Sequence, residues 1–331
     1  VPPAESDLDE IRRAAFELRQ RDPSEAVRIL RRMVKRGGDV EALAHGALAE
    51  ILLDDFDDID GALHHFQRLL VLAPGMPAGE LGHARALARN DDVPAAQKAY
   101  ARALEGFEKL ARKAMQTKDA EELDGIDETI LTALELAVEE RELLHETGHG
   151  GKPQTQPSVD ILYWAETERV FDPDEDEEGD LGDWLRYAQL RAVLAALDKK
   201  LPDALNRVEH LAKYVPLPPE ELPRLRSFAH EAARDVPSAA EEALQAIRLA
   251  SGLVNPDDAL RAASLLTEVE RLADAHGVLR QLEQQLQAPH AASTLPPELR
   301  QELLGQVKER LQDLAPPGLV SLGRGFGKAD K

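Results

Sequence analysis

Three stretches of the sequence hold residue types at spacings that could do chemistry. His145-Glu146-Thr147-Gly148-His149 sets two imidazoles at i and i+4, with a carboxylate beside the first. On a continuous helix both rings would share one face and could hold a zinc ion, while the glutamate takes a proton from the bound water. A third ligand must then come from downstream, where Glu166 and Glu168 are candidates. The run from Asp172 to Asp183 holds eight acidic and no basic residues, with Asp172, Asp174 and Asp176 at the first three ligand spacings of a twelve-residue calcium loop. Near the end of the chain, Gly323-Arg324-Gly325-Phe326-Gly327-Lys328 has the glycine and lysine content of a phosphate cradle.

Each stretch also lacks something its chemistry needs. The histidine string resembles the metal-binding helix of zinc metallopeptidases, but that family continues its helix past the second histidine. Here Gly148, Gly150 and Gly151 predict a stop. The family also carries a bulky apolar residue where Thr147 stands. In the acidic run Glu177 replaces the turn glycine, Gly179 the apolar residue and Asp183 the final glutamate, so the run reads as a solvated linker. No strand precedes the glycine-rich tail and no Ser or Thr follows Lys328, so it carries no nucleotide role. Tyr163, Trp164 and Trp184 read as core aromatics rather than a ligand platform. The expectation is no cofactor, no bound metal and no enzymatic activity, with a zinc hydrolase using His145, Glu146 and His149 as the alternative.

What must position any functional side chain is a set of helices with a long period. Ala62, Phe66 and Leu70 precede Ala96, Tyr100 and Leu104 by 34 residues, and each set follows an Asp-rich turn, Asp57-Asp58 or Asp91-Asp92. Stacked helical hairpins, none able to bury its apolar face alone, produce such a period. The pattern resembles the tetratricopeptide repeat (TPR): small residues where two helices cross, an aromatic one turn later, and a proline after the second helix, where Pro74 stands. Ala26 and Leu30 fit the same places upstream, and Ala204 and Val208, then Ala240 and Leu244, fit them downstream. Glu80 and His83 depart from it, standing where the family prefers apolar residues.

Composition agrees with an all-α solenoid. Aromatics make up only 4% of the 331 residues, and Ala, Leu, Glu and Arg are abundant, which favours helix over sheet. A net charge of -22 disfavours nucleic acid and anionic membranes, whose binding relies on Lys and Arg neutralising phosphates. The absence of cysteine removes disulfides and thiol chemistry. Apolar runs are too short to span a membrane, and Val1-Pro2-Pro3-Ala4-Glu5 has neither the basic nor the apolar part of a signal peptide, which makes the cytoplasm the default location.

The expected layout is residues 1–147 as N-terminal repeats ending in long capping helices, and residues 148–183 as a Gly/Pro loop, short helix and acidic linker. Residues 184–315 follow as C-terminal repeats and 316–331 as a flexible tail. Gly148 to Ser158 is the expected boundary or mobile loop.

The TPR resemblance implies an inner groove lined by the first helix of each hairpin. Carried onto this chain, that groove holds Arg12, Phe16 and Arg19, then Glu50 and Leu53, then Arg85 and Arg89. The resemblance thus implies a scaffold or adaptor that binds a partner protein or peptide. Its arginines would receive an acidic or carboxylate-bearing segment, and Phe16 and Leu53 would supply apolar contact. Alternatively, those arginines pair with Asp and Glu of adjacent helices.

Overall fold

The computed structural model describes residues 5–38, 40–117, 125–149, 151–159, 161–162, 178–212, 217–250, 252, 254–288 and 295–314. These form fourteen helices, and no strand occurs among the described residues. Helix α1 (Glu5–Arg12) runs through a π-helical segment (Arg13–Leu18) into a last turn (Arg19–Arg21). Next come α2 (Pro23–Arg36), α3 (Glu41–Asp54), α4 (Ile59–Leu72), α5 (Pro77–Arg89), α6 (Val93–Thr117) and α7 (Ile126–Glu146). The remaining helices are α8 (Glu178–Leu197), α9 (Leu201–Leu211), α10 (Glu221–Ala232), α11 (Val236–Leu249), α12 (Pro256–Glu268), α13 (Leu272–Gln287) and α14 (Pro297–Asp313). Neighbours in sequence pack as antiparallel hairpins, the TPR-like arrangement expected from the period.

One turn geometry recurs between the helices of five hairpins. Asp57, Asp91, Lys199, Arg234 and Glu270 each have φ between 51 and 62°, and each stands one residue before the N-cap of the second helix. The N-cap amide bonds back to the end of the first helix: Asp92 to Leu87, Lys200 to Ala195, Asp235 to His230 and Arg271 to Leu266, all at 2.8–3.0 Å. Asp58 does the same one residue further back, to Leu52. Where the cap is an aspartate, its side chain also accepts an amide hydrogen, as Asp58 does from Gly61 and Asp92 from Ala95. Each left-handed residue reverses the chain while its hairpin keeps its backbone groups satisfied.

Small residues stand in the second turn of the second helix of each hairpin, four or five residues beyond its cap, and all but Ala275 are ones the spacing predicts. Ala26, Ala62, Ala96, Ala204, Ala240 and Ala275 are completely buried. The larger residue one turn on fills the space beside each, and Leu30, Phe66, Tyr100, Val208, Leu244 and Leu279 are all buried. The Phe66 ring lies so close to α5 that a Cβ built on Gly82 would fall 2.2 Å from it. Glycine is required there by approach, not by backbone angle. The two polar departures in α5 are accommodated differently: Glu80 is buried but paired with Arg102 at 2.8 Å, while both ring nitrogens of His83 are buried without a hydrogen bond. Burial holds the His83 imidazole below its usual range, in the neutral form.

The residues after α7 differ from the expected mobile loop. Residues 151–159 lie along the groove between α6 and α7 and are tied down by side chains of both helices. Glu140, wholly buried, accepts hydrogen bonds from the amides of Gln154 and Thr155 at 2.8 Å, from the Thr155 hydroxyl, and from Gln97 of α6 at 2.9 Å. Arg141 donates to the Thr155 carbonyl at 2.8 Å, and Glu108 accepts the Ser158 amide at 2.7 Å. Buried Thr155, Pro157 and Ile161 complete this strap. Pro157 and Ile161 meet Phe107 and Ala111 of α6 and Ile130 and Leu134 of α7 around one small cavity.

Glu178 to Asp183 lie in α8 rather than in an extended linker. A twelve-residue calcium loop would need those residues out of the helix; its first six, Asp172 to Glu177, lie outside the described residues, as do Tyr163, Trp164 and the tail. Trp184 is buried, as expected of a core aromatic. The chain divides into two compact units, Val1–Leu190 and Arg191–Lys331, with the division falling inside α8. Within the second unit, α11 to α14 share one apolar core that includes Leu244, Leu266, Leu279 and Val307.

Candidate partner-binding face

The inner row of the first unit is built from the first helix of each hairpin. Arg19 reaches α3, donating to Asp55 at 2.6 Å and to Asp54 at 3.1 Å. Arg89 of α5 reaches the same carboxylate from the other side at 3.2 Å and donates to the Leu53 carbonyl at 2.5 Å. One turn earlier on α5, Arg85 forks onto Glu139 of α7 at 2.5 and 3.0 Å, and the Tyr100 hydroxyl donates to that carboxylate at 3.1 Å. Burial first, and the Glu139 charge second, push the Tyr100 phenol far up, so it remains a donor. Arg186 of α8 extends the series onto Glu135 at 2.9 Å. Arginine and carboxylate therefore alternate from hairpin to hairpin along the row.

Five of the seven residues read from the sequence, Arg19, Glu50, Leu53, Arg85 and Arg89, come together on or beneath this face. Glu50 stands among Arg19, Asp54 and Arg85. Its side chain is accessible to solvent, yet it is crowded enough by the surrounding helices that desolvation raises its carboxyl above the usual range. Asp54 adds to the rise, while Arg19 and Arg85 oppose it.

Leu53 is a correction. Its side chain is 3% exposed and packed in the core with Leu48 and Leu52, so only its carbonyl serves the face. The cause is local: Ile51, Leu52 and Leu53 are all buried, because α3 lies between neighbours on several sides. Arg12 and Phe16 lie at the N-terminal end. Phe16 projects from the π-helical segment with 69% of its surface exposed, and Arg12 is exposed and has no ion pair among the described residues.

Of the two charge arrangements left open by the sequence, the structure has the second: Arg19, Arg85 and Arg89 are paired with Asp54, Asp55 and Glu139. Those partners carried no signal in the sequence. Asp54 and Asp55 read as turn residues, and Glu139 lies on a long helix without a repeat match.

The histidine string does not form one helical face. Helix α7 ends at Glu146, the Thr147 amide closes its last turn on Leu143, and Gly148 takes a φ of +65°, so His149 lies past the helix. Both histidines and Glu146 are exposed. Among the described residues no three His, Asp or Glu side chains converge as a metal site requires, and Glu166 and Glu168 lie outside them. No helix among the described residues is long and apolar enough to cross a membrane.

No protein-family model matches the sequence, and no curated protein matches it. Among solved structures, a tetratricopeptide repeat protein from Parabacteroides merdae is similar at 11% identity, with 92% of this chain and 100% of that one covered and a TM-score of 0.43. The assembly chaperone of RpL4, Acl4, is similar at 15% identity, with 92% and 96% covered and a TM-score of 0.44. The TPR-like architecture is thus carried by this chain's own hairpins, its recurring turns and its 34-residue spacing.

Proposed function

We propose that this chain is a non-enzymatic helical-repeat scaffold that binds a partner protein or extended peptide along the inner row of its first unit. The observation that supports this reading is Phe16, a large aromatic 69% exposed on the helical stretch that also carries Arg19, four residues after Arg12, which has no ion pair among the described residues. An exposed aromatic next to an arginine has the composition of a binding hot spot, since both types bury much area per ordered side chain. Entry of an acidic segment further along the row would require Arg19, Arg85 or Arg89 to exchange one carboxylate for another, an exchange with little net gain. The contact is therefore assigned to the Arg12 and Phe16 end, with Glu50 as a neighbouring polar group and a partner surface of mixed charge.

The scaffold role rests on the architecture and so on analogy of fold. Affinity capture with the whole chain tests the site by difference. Proteins retained by the wild type and lost by Phe16→Glu, at unchanged melting temperature, support the inner row. The same proteins retained by both remove that row as the binding face.

A further inference from the structure

A cationic surface with little ion pairing among the described residues lies on α2 of the first unit. Along α2, Arg28, Arg31, Arg32 and Lys35 are exposed and line one shallow groove with Ser24, over a floor formed by Val27. Only Arg28 has a carboxylate partner, its own-helix neighbour Glu25 at 2.6 Å. Arg31, Arg32 and Lys35 have no hydrogen bond or ion pair among the described residues. From α4, His65 is a group on which the Arg31 charge acts, and Arg68 of the same helix pairs with Glu41 at 3.9 Å. In a chain with 62 acidic against 40 basic residues, a helix face with four cations and one carboxylate contrasts with its surroundings.

We propose that this face of α2 docks an acidic protein segment, independently of what the inner row binds. Spacing and charge both point to it. At 1.5 Å per residue, Arg28 to Lys35 spans about 10 Å, two helical turns, and the cations stand about one turn apart. That matches carboxylates repeated at every third or fourth residue of a partner helix, each able to take an arginine fork. A nucleic acid fits less well, because its phosphates run far beyond the four cations into the field of a protein of charge -22. With screening over about 8 Å at physiological salt, a short acidic segment sees the stripe and little else.

The probe is a fluorescein-labelled synthetic peptide carrying glutamate at every third and fourth position, read by anisotropy against the whole chain. Wild type should bind it, with affinity falling as salt rises, and Arg31→Glu with Arg32→Glu should weaken binding about tenfold or more. The same charge change at Lys98 and Lys109, two exposed residues of α6, should leave binding within about twofold. Circular dichroism melts establish that both variants fold. No binding by the wild type, or equal weakening by both variants, would overturn the assignment, the latter showing an effect of net charge alone. Tighter binding of a single-stranded oligonucleotide of equal charge, or of vesicles containing phosphatidylserine, would overturn it in favour of a polyphosphate or lipid surface.

Discussion

Two arginine-rich regions of the first unit use the same side chain in opposite ways. On the inner row Arg19, Arg85 and Arg89 each reach across to a carboxylate of another helix, 35 to 54 residues away in sequence. On the exposed face of α2, Arg31 and Arg32 reach no carboxylate among the described residues, and Arg28 pairs with Glu25 of its own helix. Local density of arginine is similar in the two regions, so density cannot indicate which is available to a partner. What separates them is long-range geometry: an inner-row arginine has a facing helix within side-chain length, whereas α2 presents its stripe outward. Inner pairs hold hairpin register, and the outer stripe keeps its binding capacity.

The comparison is sharpest at its extreme, the carboxylate withdrawn completely from water. Glu140 satisfies two strap amides, a hydroxyl and Gln97 at once, so Glu140→Ala strands buried donors and should cost about 3–5 kcal/mol. Thermal melting checks this, and limited proteolysis should then open residues 151–159 first. A loss under about 1 kcal/mol would mean that the strap is held by its other contacts, those of Arg141, Glu108, Pro157 and Ile161.

A smaller effect links the outer stripe to pH. His45 and His65 share one hydrogen bond between their Nδ1 atoms at 2.7 Å, so one ring donates while the other stays unprotonated at that nitrogen. Burial first, then the charges of His45, His64 and Arg31, hold His65 down to about 4, and Asp58 opposes them. A folded pKa below the unfolded value near 6.5 means that this stability is fully present above about pH 6.5 and is lost as pH falls toward 4. The melting temperature should decline between pH 6.5 and 5, before most carboxylates titrate, and His65→Asn should flatten that decline. Arg31→Ala removes one opposing charge and should soften the slope slightly, while changing stability at neutral pH by less than about 0.5 kcal/mol. An unaltered slope in His65→Asn would exclude the pair as its source.

The repeats were legible in the sequence because apolar burial leaves periodic marks. Ala62 and Phe66, Ala96 and Tyr100, Ala204 and Val208 all occupy the crossings their spacing assigned. The turns were less legible: Asp57, Asp91, Lys199, Arg234 and Glu270 adopt left-handed angles without the glycine that usually signals them. Leu53 was misplaced because α3 is apolar on several sides, which blurs the difference between the face toward the core and the face toward the groove. The strap was illegible for another reason. Gly and Pro around it predict freedom, while the hydrogen bonds that hold it join Glu140 to Thr155 and Glu108 to Ser158, pairings with no local pattern. Pairing of the inner arginines belongs to the same class, since Asp54 and Glu139 become partners only once the hairpins stack.

Whether the two arginine regions differ as described is measured most directly by melting two charge reversals side by side. Arg85→Glu with Arg89→Glu sets new carboxylates against Glu139 and Asp54 and strands the Leu53 carbonyl, whereas Arg31→Glu with Arg32→Glu breaks no hydrogen bond or ion pair formed among the described residues. The first pair should lose about 1–3 kcal/mol, or roughly 5 °C at this chain length, with the loss shrinking in high salt. The second should melt within about 1 °C of the wild type. Equal melting temperatures for the two variants, or a larger loss in the α2 variant, would contradict the division between structural and available arginines.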